Sequence, residues 1–325
     1  MSNESGLRID RYYKQLLKKH GDELNIFDST SLNDYGMCPR KFFFQHELKI
    51  IPRGPEHAPL TLGKAVHSFI EAYTLSHDLS NAVDAYEREV ELKKADLTVE
   101  KKAGGLITMM RYIDEYFDAY GEDGEFPPLV IDGEPMVEKG FAIDVGGGVL
   151  WGRIDRIARD DEDPDGYVVL DHKHTSGKIT NQKKLYYVIS NQMTNYMLAT
   201  YELFGKPPTK AVVDLIRVTD EEPSRESKTG SQFVRLFVYR SEEELMLRKR
   251  ELRFQIAVIQ EARNYGICGF PKSAPSSCFV WYRPCEYLPL CMAQVDDLVT
   301  LVENLYEKNT WVPYSSPEDD QTREG

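Results

Sequence analysis

The stretch "GYVVLDHKHT", Gly166 to Thr175, decides how the rest of the chain is read. Its apolar run Tyr167 to Leu170, bounded by a glycine on one side and polar residues on the other, has the character of a buried strand. Side chains alternate across a strand, so Asp171 and Lys173 are expected to project from one side, and His172 and His174 from the other. A carboxylate beside a lysine suits metal-assisted hydrolysis. The carboxylate binds a hard divalent cation, and the lysine can orient a water and offset developing negative charge. The same triplet also fits a surface ion pair.

Upstream, "EPMVEKGFAIDV" (134–145) and "GVLWGRIDRIAR" (148–159) read as two further strands. The glycines 146–148 join them as a hairpin, and "DDEDPDG" (160–166) leads into the third. Asp155 is flanked by isoleucines, where an acid is costly unless it is paired or bound to metal. Strand pairing would bring it within reach of Asp171. Glu138 reads as a strand-exposed glutamate, with a lesser candidacy for holding a water at such a site.

Downstream, "KLYYVISNQMTNYMLATYELFG" (184–205) predicts one helix ending at Gly205. Gln192 and Tyr196 would share a face of it. Strands follow in "KAVVDLIRVT" (210–219) and "SQFVRLFVYR" (231–240), then a long helix from Ser241 to Gly266 opened by a Ser–Glu capping pattern. Before the strands, residues 1–26 contain an amphipathic helix ("IDRYYKQLLKKH"), a short helix is expected around Cys38, and helices run from Gly63 to about Tyr120 until acidic and proline residues 121–128 break them. "AQVDDLVTLVENLYEKN" (293–309) predicts a last helix, and residues 314–325 a disordered tail. The expectation is a mixed α/β domain over 29–313 with a helical insertion at about 68–125, preceded by a helical extension at 1–28.

The 325 residues are 41% hydrophobic and 29% charged, as in ordinary globular proteins. The net charge of −13 argues against a protein that coats polyanions non-specifically, and leaves room for an enzyme that gathers acids at a metal site. The first fifteen residues lack the apolar core of a signal peptide, and no apolar run approaches the roughly 20 residues of a membrane span. A cytoplasmic protein is expected. There, five cysteines suit free thiols, catalysis or metal ligation better than disulfides. Cys278, Cys285 and Cys291 fall within fourteen residues, in the pattern C-x6-C-x5-C. They fit a zinc clip, part of an iron–sulfur site, or chance.

Four motifs in order resemble the PD-(D/E)XK nuclease superfamily, in its RecB-like branch. "GKAVH" resembles the helix that contributes a histidine, His67. "GRIDRI" resembles the first carboxylate motif, with Asp155, and "VVLDHK" the second carboxylate and lysine, Asp171 and Lys173. "QMTNY" resembles the Q-hydrophobic-x-x-Y motif, with Gln192 and Tyr196. The resemblance covers roughly residues 30–295 and implies a restriction-endonuclease-like mixed sheet flanked by helices. It implies a DNA nuclease, an exonuclease before a site-specific endonuclease. His67, Asp155, Asp171 and the main-chain carbonyl of His172 would hold Mg²⁺ or Mn²⁺, Lys173 would assist an attacking water, and Gln192 and Tyr196 would place substrate. This sequence departs from the family in setting His174, not Thr or Ser, after the lysine, with Thr175 one place later.

Some RecB-like nucleases, among them phage-encoded exonucleases and CRISPR-associated adaptation nucleases, carry an iron–sulfur cluster with one distant upstream cysteine. Cys38 resembles that ligand, and Cys278, Cys285 and Cys291 the C-terminal trio; a [4Fe–4S] cluster is implied, with four-thiolate zinc as the competing occupant. Closing so large a loop would be worth on the order of 4–5 kcal/mol if it acts like a disulfide. Phe279, Trp281, Tyr282 and Tyr287 could shield the sulfurs, and Cys268 reads as a packed small residue. DNA ends or single strands are the implied partner, with a helicase or a recombination or replication protein supplying any unwinding. The rival readings are a non-catalytic DNA-end-binding or assembly protein on the same fold, and a zinc-stapled enzyme acting on RNA.

Overall fold

The computed structural model describes residues 25–54, 58–92, 98–114, 126–160, 162–218, 232–280, 283–293 and 297–309. The expected N-terminal helix, the tail, Trp281, Tyr282 and most of the 121–128 break lie outside these residues. The helices are α1 (Ser29–Met37), α2 (Pro39–Phe42), α3 (Ala58–Ser76), α4 (Leu79–Leu92), α5 (Val99–Tyr112), α6 (Asn181–Val188), α7 (Asn191–Phe204), α8 (Glu242–Arg263), α9 (Leu288–Met292) and α10 (Leu298–Leu305). The strands are β1 (Ile26–Phe27), β2 (Ile50–Pro52), β3 (Val130–Ile131), β4 (Glu134–Pro135), β5 (Val137–Asp144), β6 (Val149–Asp160), β7 (Asp163–Thr175), β8 (Lys210–Arg217), β9 (Phe233–Val238), β10 (Phe279–Val280), β11 (Arg283–Pro284) and β12 (Tyr306–Lys308). None of the described helices is long and apolar enough to cross a membrane.

The described residues cluster into two compact units. One falls within 55–141 and 153–248, the other within 16–54, 142–152 and 249–325. The first unit holds a mixed sheet. β6 and β7 run antiparallel, with Arg156 opposite Leu170 and Ala158 opposite Val168. β7 and β8 run parallel from Val168 opposite Lys210 to Thr175 opposite Arg217. β8 and β9 are antiparallel. Parallel neighbours need a crossover, and α6 and α7 supply it. Val168, Val169, Leu170, Ala211, Val212 and Val213 are all buried, the pattern of strands covered on both faces. Helices α3 to α5 close one core, in which Val66, Phe69, Tyr86, Met109 and Tyr112 pack with Ile216, Val218 and Phe233.

Local signals set the helix ends. Ser241 and Glu244 form the expected capping box before α8: the Ser241 N–H donates to the Glu244 carboxylate at 2.7 Å, and the Glu244 N–H to Ser241 Oγ at 3.3 Å. α7 stops at Gly205, whose φ of 72° is a conformation glycine adopts without penalty. The single helix expected from Lys184 to Gly205 is two. Ile189 leaves the helical conformation at the end of α6, and Ser190 Oγ accepts the Gln192 N–H at 3.1 Å, starting α7 afresh. A serine offered as an N-cap outcompetes helix continuation.

In the second unit, the short helix expected around Cys38 resolves into α1 and α2 with Cys38 as the extended residue between them (φ −156°). Pro39 cannot supply the N–H that a continuous helix would need. Phe44, Ile50, Tyr287, Leu290 and Tyr306 form this unit's core, and the Tyr287 hydroxyl donates to the Ile50 carbonyl at 2.7 Å. The last helix is shorter than expected: α10 stops at Leu305, and Tyr306–Lys308 turn extended to pair with β2. β1 pairs in parallel with the first residues of β6, Ile26 opposite Val149. The hairpin between β5 and β6 turns at Gly146 and Gly147, whose φ values of 82° and 114° explain the glycine run.

Gly105 on α5 lies against α4, where an added Cβ would run into the Tyr86 hydroxyl and, at 2.9 Å, Leu62 Cδ1. Tyr86 is itself tied to the Lys102 carbonyl at 3.1 Å and cannot simply swing away. Gly105→Val should therefore destabilise the protein by about 1–3 kcal/mol, the usual cost of overpacking, read as a lower urea midpoint at unchanged slope.

Candidate active site

The site forms where the β6–β7 ladder ends. The last paired residues are Arg156 and Leu170, and one further step of that register sets Asp155 beside Asp171. Asp155 Oδ2 takes up the N–H that the ladder leaves over, accepting from the His172 amide at 2.6 Å. The ring Nδ1 of His172 lies 3.3 Å from the same oxygen, and Nδ1 of His67, on α3, also at 3.3 Å. His67 Nδ1 is 3.5 Å from Glu138 Oε1. The ligand atoms of His67, Glu138 and Asp155 lie within 4.8 Å of one another, the only such trio of metal-binding groups among the described residues.

The charges hold one another in unusual states. Burial would neutralise His67, yet Asp155 and Glu138 outweigh it and raise its pKa to about 9. Burial also favours protonated Asp155, but His67 and His172 prevail and hold it well below the usual carboxylate range. Glu138 is pushed up to about 7 by burial and by the neighbouring acids Asp155 and Glu71, against the pull of His67. Asp171 is pushed up to about 6 by burial and Asp155, against Lys173. Lys173 Nζ donates to Asp171 Oδ1 at 3.0 Å and stands 2.9 Å from Oδ2, out of line for a second hydrogen bond. Asp171 Oδ2 is thus a fully buried carboxylate oxygen that accepts no hydrogen bond from the described residues. The side chains of His67 and Lys173 keep 30% and 22% of their surface exposed, so the cluster opens to solvent.

Gln192 and Tyr196 do share one face: Gln192 Nε2 donates to Tyr196 Oη at 2.8 Å. Burial first, then the charges of Asp171 and Asp155, keep the Tyr196 hydroxyl protonated, which places that face towards the acids. Its ring packs edge-on to Phe141 at 5.9 Å. Thr175 turns to the loop, where its Oγ1 accepts from Lys183 Nζ at 2.6 Å.

Two expectations are corrected. His172 does not point away from the acids, because Asp155 belongs to the neighbouring strand and reaches past the end of the ladder to meet it. Glu138 is not a strand-exposed residue: its side chain is only 13% exposed, and its backbone is left-handed at φ 48°. A non-glycine residue there carries strain of roughly 1–2 kcal/mol. That twist inside β5 lies outside the strand alternation from which the sequence was read.

Sequence reasoning also missed the support beneath His172. In the β7–β8 register His172 lies opposite Asp214, which accepts from Arg235 Nε and Nη2 at 2.7 Å each and from the Tyr112 hydroxyl at 3.1 Å. Arg156 is buried nearby and donates to Thr74 Oγ1 at 2.5 Å. A lone acid within the apolar run of β8, "AVVDLIR", was the available signal.

The four cysteines implied as ligands all lie in the second unit. The Cys285 amide donates to the Cys278 carbonyl at 2.7 Å, just outside the paired residues of β10 and β11, and the Cys291 amide to the Tyr287 carbonyl at 3.1 Å. Burial raises the thiol pKa of Cys285 and of Cys291, and the charge of Cys38 adds to both shifts. Lys41 acts in the opposite sense on Cys285, and Lys272 and Arg40 on Cys291. No three thiols of the described residues lie within 4.8 Å of one another. Cys268 is exposed in a turn after α8 instead of packed; of the aromatics near the trio, Phe279 is 57% exposed and Tyr287 is buried.

A family model for the PD-(D/E)XK nuclease superfamily matches residues 29–292, and the chain belongs to that superfamily. The provisionally named exonuclease of Eubacterium rectale is similar to it at 11% identity and a TM-score of 0.45, over 90% of this chain and 99% of that one. The protein SSO0001 is similar at 16% identity and a TM-score of 0.33, over 78% of this chain and 90% of that one. No curated protein matches the chain.

The protonation states make a pH prediction for the metal-free protein. His67, Glu138 and Asp171 all have raised pKa values, so each stabilises the fold fully below its unfolded value and loses that contribution as pH rises through about 9, 7 and 6 respectively. The melting temperature in EDTA should therefore fall steadily from pH 5 to pH 9, with a shallower fall between pH 7 and pH 9 in His67→Gln.

Proposed function

We propose that this chain is a RecB-like deoxyribonuclease of exonuclease type, hydrolysing phosphodiester bonds at DNA ends or in single strands with Mg²⁺ or Mn²⁺. The observation that carries the reading is the convergence of Asp155, Asp171, Lys173 and His67 at the open end of the β6–β7 ladder. The donor set suits a hard cation: carboxylates and one imidazole, with Asp171 Oδ2 left without a hydrogen bond. His67, Asp155, Asp171 and the His172 carbonyl would hold the metal, and the position of Glu138 recommends it as a further ligand. A divalent cation bound there would lower the pKa of a water and draw off phosphate charge.

The chain's own residues account for the rest. Burial works against the charge of Lys173, but Asp171 and Asp155 keep it protonated. Beside the metal it would orient the attacking water and offset the negative charge that develops on the phosphate. Gln192 and Tyr196, held together, would place the substrate strand. Any unwinding would come from a helicase or another recombination or replication partner.

We infer also that Cys38, Cys278, Cys285 and Cys291 hold a structural [4Fe–4S] cluster. What favours the cluster over a four-thiolate zinc is the resemblance of one distant upstream cysteine and a C-terminal trio to the ligand set of iron–sulfur RecB-like nucleases. Arg40, Lys41 and Lys272 are placed to balance thiolate charge. Such a cluster fits a reducing cytoplasmic location.

End-labelled single- and double-stranded DNA should be degraded with Mn²⁺ and left intact with EDTA. Asp171→Ala and Lys173→Ala should each slow cleavage by at least about 10²-fold, while Gln192→Ala weakens it without changing the Mn²⁺ needed for half-activity. DNA binding without any cleavage would instead fit an end-binding assembly protein.

Anaerobically purified protein should be brown and contain iron. Cys38→Ser should lose the iron and lower the melting temperature, and Cys268→Ser should keep both. Zinc in place of iron would refute the cluster.

A further inference from the structure

Helix α6 has no buried residue. It is held in place by polar ties: Lys183 Nζ donates to Thr175 Oγ1 at 2.6 Å, and Arg240 Nη2 to the Val188 carbonyl at 2.7 Å. Isolated helices this short are unstable in water, so these ties fix its position. What they fix in place is an apolar and aromatic face turned to solvent: Leu185 is 57% exposed, Tyr186 60% and Ile189 66%. Tyr186 is buttressed edge-on by Tyr187, with ring centroids 5.3 Å apart at 84°. Tyr187, on the inner side, lies within electrostatic reach of Lys173 and Asp171, and Lys183 is tied to Thr175 at the end of β7, so the helix adjoins the active site. By their i,i+3 spacing on the helix, Lys183 neighbours Tyr186 and Lys184 neighbours Tyr187, in a chain whose net charge is −13.

We propose that α6 is a stacking platform for single-stranded DNA entering the active site, with a base stacked on Tyr186 and the backbone passing Lys183 and Lys184; this rests on the DNA nuclease reading above. Sequence-tolerant binding of single strands combines exposed aromatic faces, on which bases stack, with local positive charge that follows the phosphates. An exposed tyrosine packed edge-on to a second ring, on a helix that carries two lysines and adjoins the catalytic cluster, has that composition. Inside a duplex the bases stay stacked on each other and only the terminal pairs present a free face, so the platform favours single strands.

The test is fluorescence anisotropy with labelled oligo-dT and with a blunt duplex, Ca²⁺ replacing Mg²⁺ to prevent cleavage. Tyr186→Ala should weaken single-strand binding at least about fivefold, the low end of what one stacked base contributes, and leave duplex binding unchanged. Tyr186→Phe should bind as the wild type does. Tyr186→Leu, apolar but without a π face, should bind as weakly as the alanine variant. Tyr186 is exposed, so none of these variants threatens the fold. Single-strand affinity unchanged by Tyr186→Ala, in protein that cleaves DNA, would overturn the platform and spare the nuclease. So would a wild-type dimer that Tyr186→Ala dissociates with no change in single-strand affinity, which would make this face a protein interface. Wild-type protein that neither binds nor cleaves DNA would overturn the nuclease reading and the platform together.

Discussion

One hydrogen bond organises the active-site cluster: the 2.6 Å contact from the His172 amide to Asp155 Oδ2. Where two strands part, each leaves backbone groups that must find partners if they stay buried. Here the carboxylate of one strand satisfies the amide of the other. That fixes Asp155 as an ion at the mouth of the ladder, and an ion so placed must be compensated. His67 and His172 both turn to the same oxygen, and Glu138 follows His67.

The remaining features can be read as the consequences of concentrating charge there. Three acids share a small, largely buried volume, and their raised or lowered pKa values record how strongly they compete for two histidines and a lysine. Such an arrangement is poorly stable by itself and well suited to a cation, which would replace the proton of His67 and relieve the repulsion. Under His172 the ion pair of Asp214 and Arg235, closed by Tyr112, supplies a stiff support. Removing one member of such a buried pair strands a charge, so the set acts as a unit. The left-handed backbone of Glu138 is a further cost borne at the site, as strained residues often are where function needs an awkward placement.

The second unit solves a different problem. Its small core of Phe44, Ile50, Tyr287, Leu290 and Tyr306 brings together segments far apart in sequence, and the thiols of Cys285 and Cys291 lie at its margin. Aromatic stacking does much of the joining: Tyr287 lies between Phe44 and Tyr306, with ring centroids 5.6 and 5.7 Å away.

What the sequence determined by itself is what depends on neighbours along the chain. Strand β7, the face shared by Gln192 and Tyr196, the Ser241–Glu244 capping box and the left-handed stop at Gly205 are set by periods and by side chains three or four residues apart. The superfamily was legible for the same reason, since each of its motifs is a local pattern and the four stand in order. The tertiary structure alone decided the rest. The turn of His172 towards Asp155 needs two strands to part at one particular residue. The burial of Glu138 needs α3 to bring His67 over β5, and the support from Asp214 needs β8 beside β7. The extended joint at Cys38, by contrast, is local: its next neighbour, Pro39, withholds the N–H that a continuous helix would need. Periodicity says which residues share a face; only packing says which faces meet, and the chemistry of this site lies where they meet.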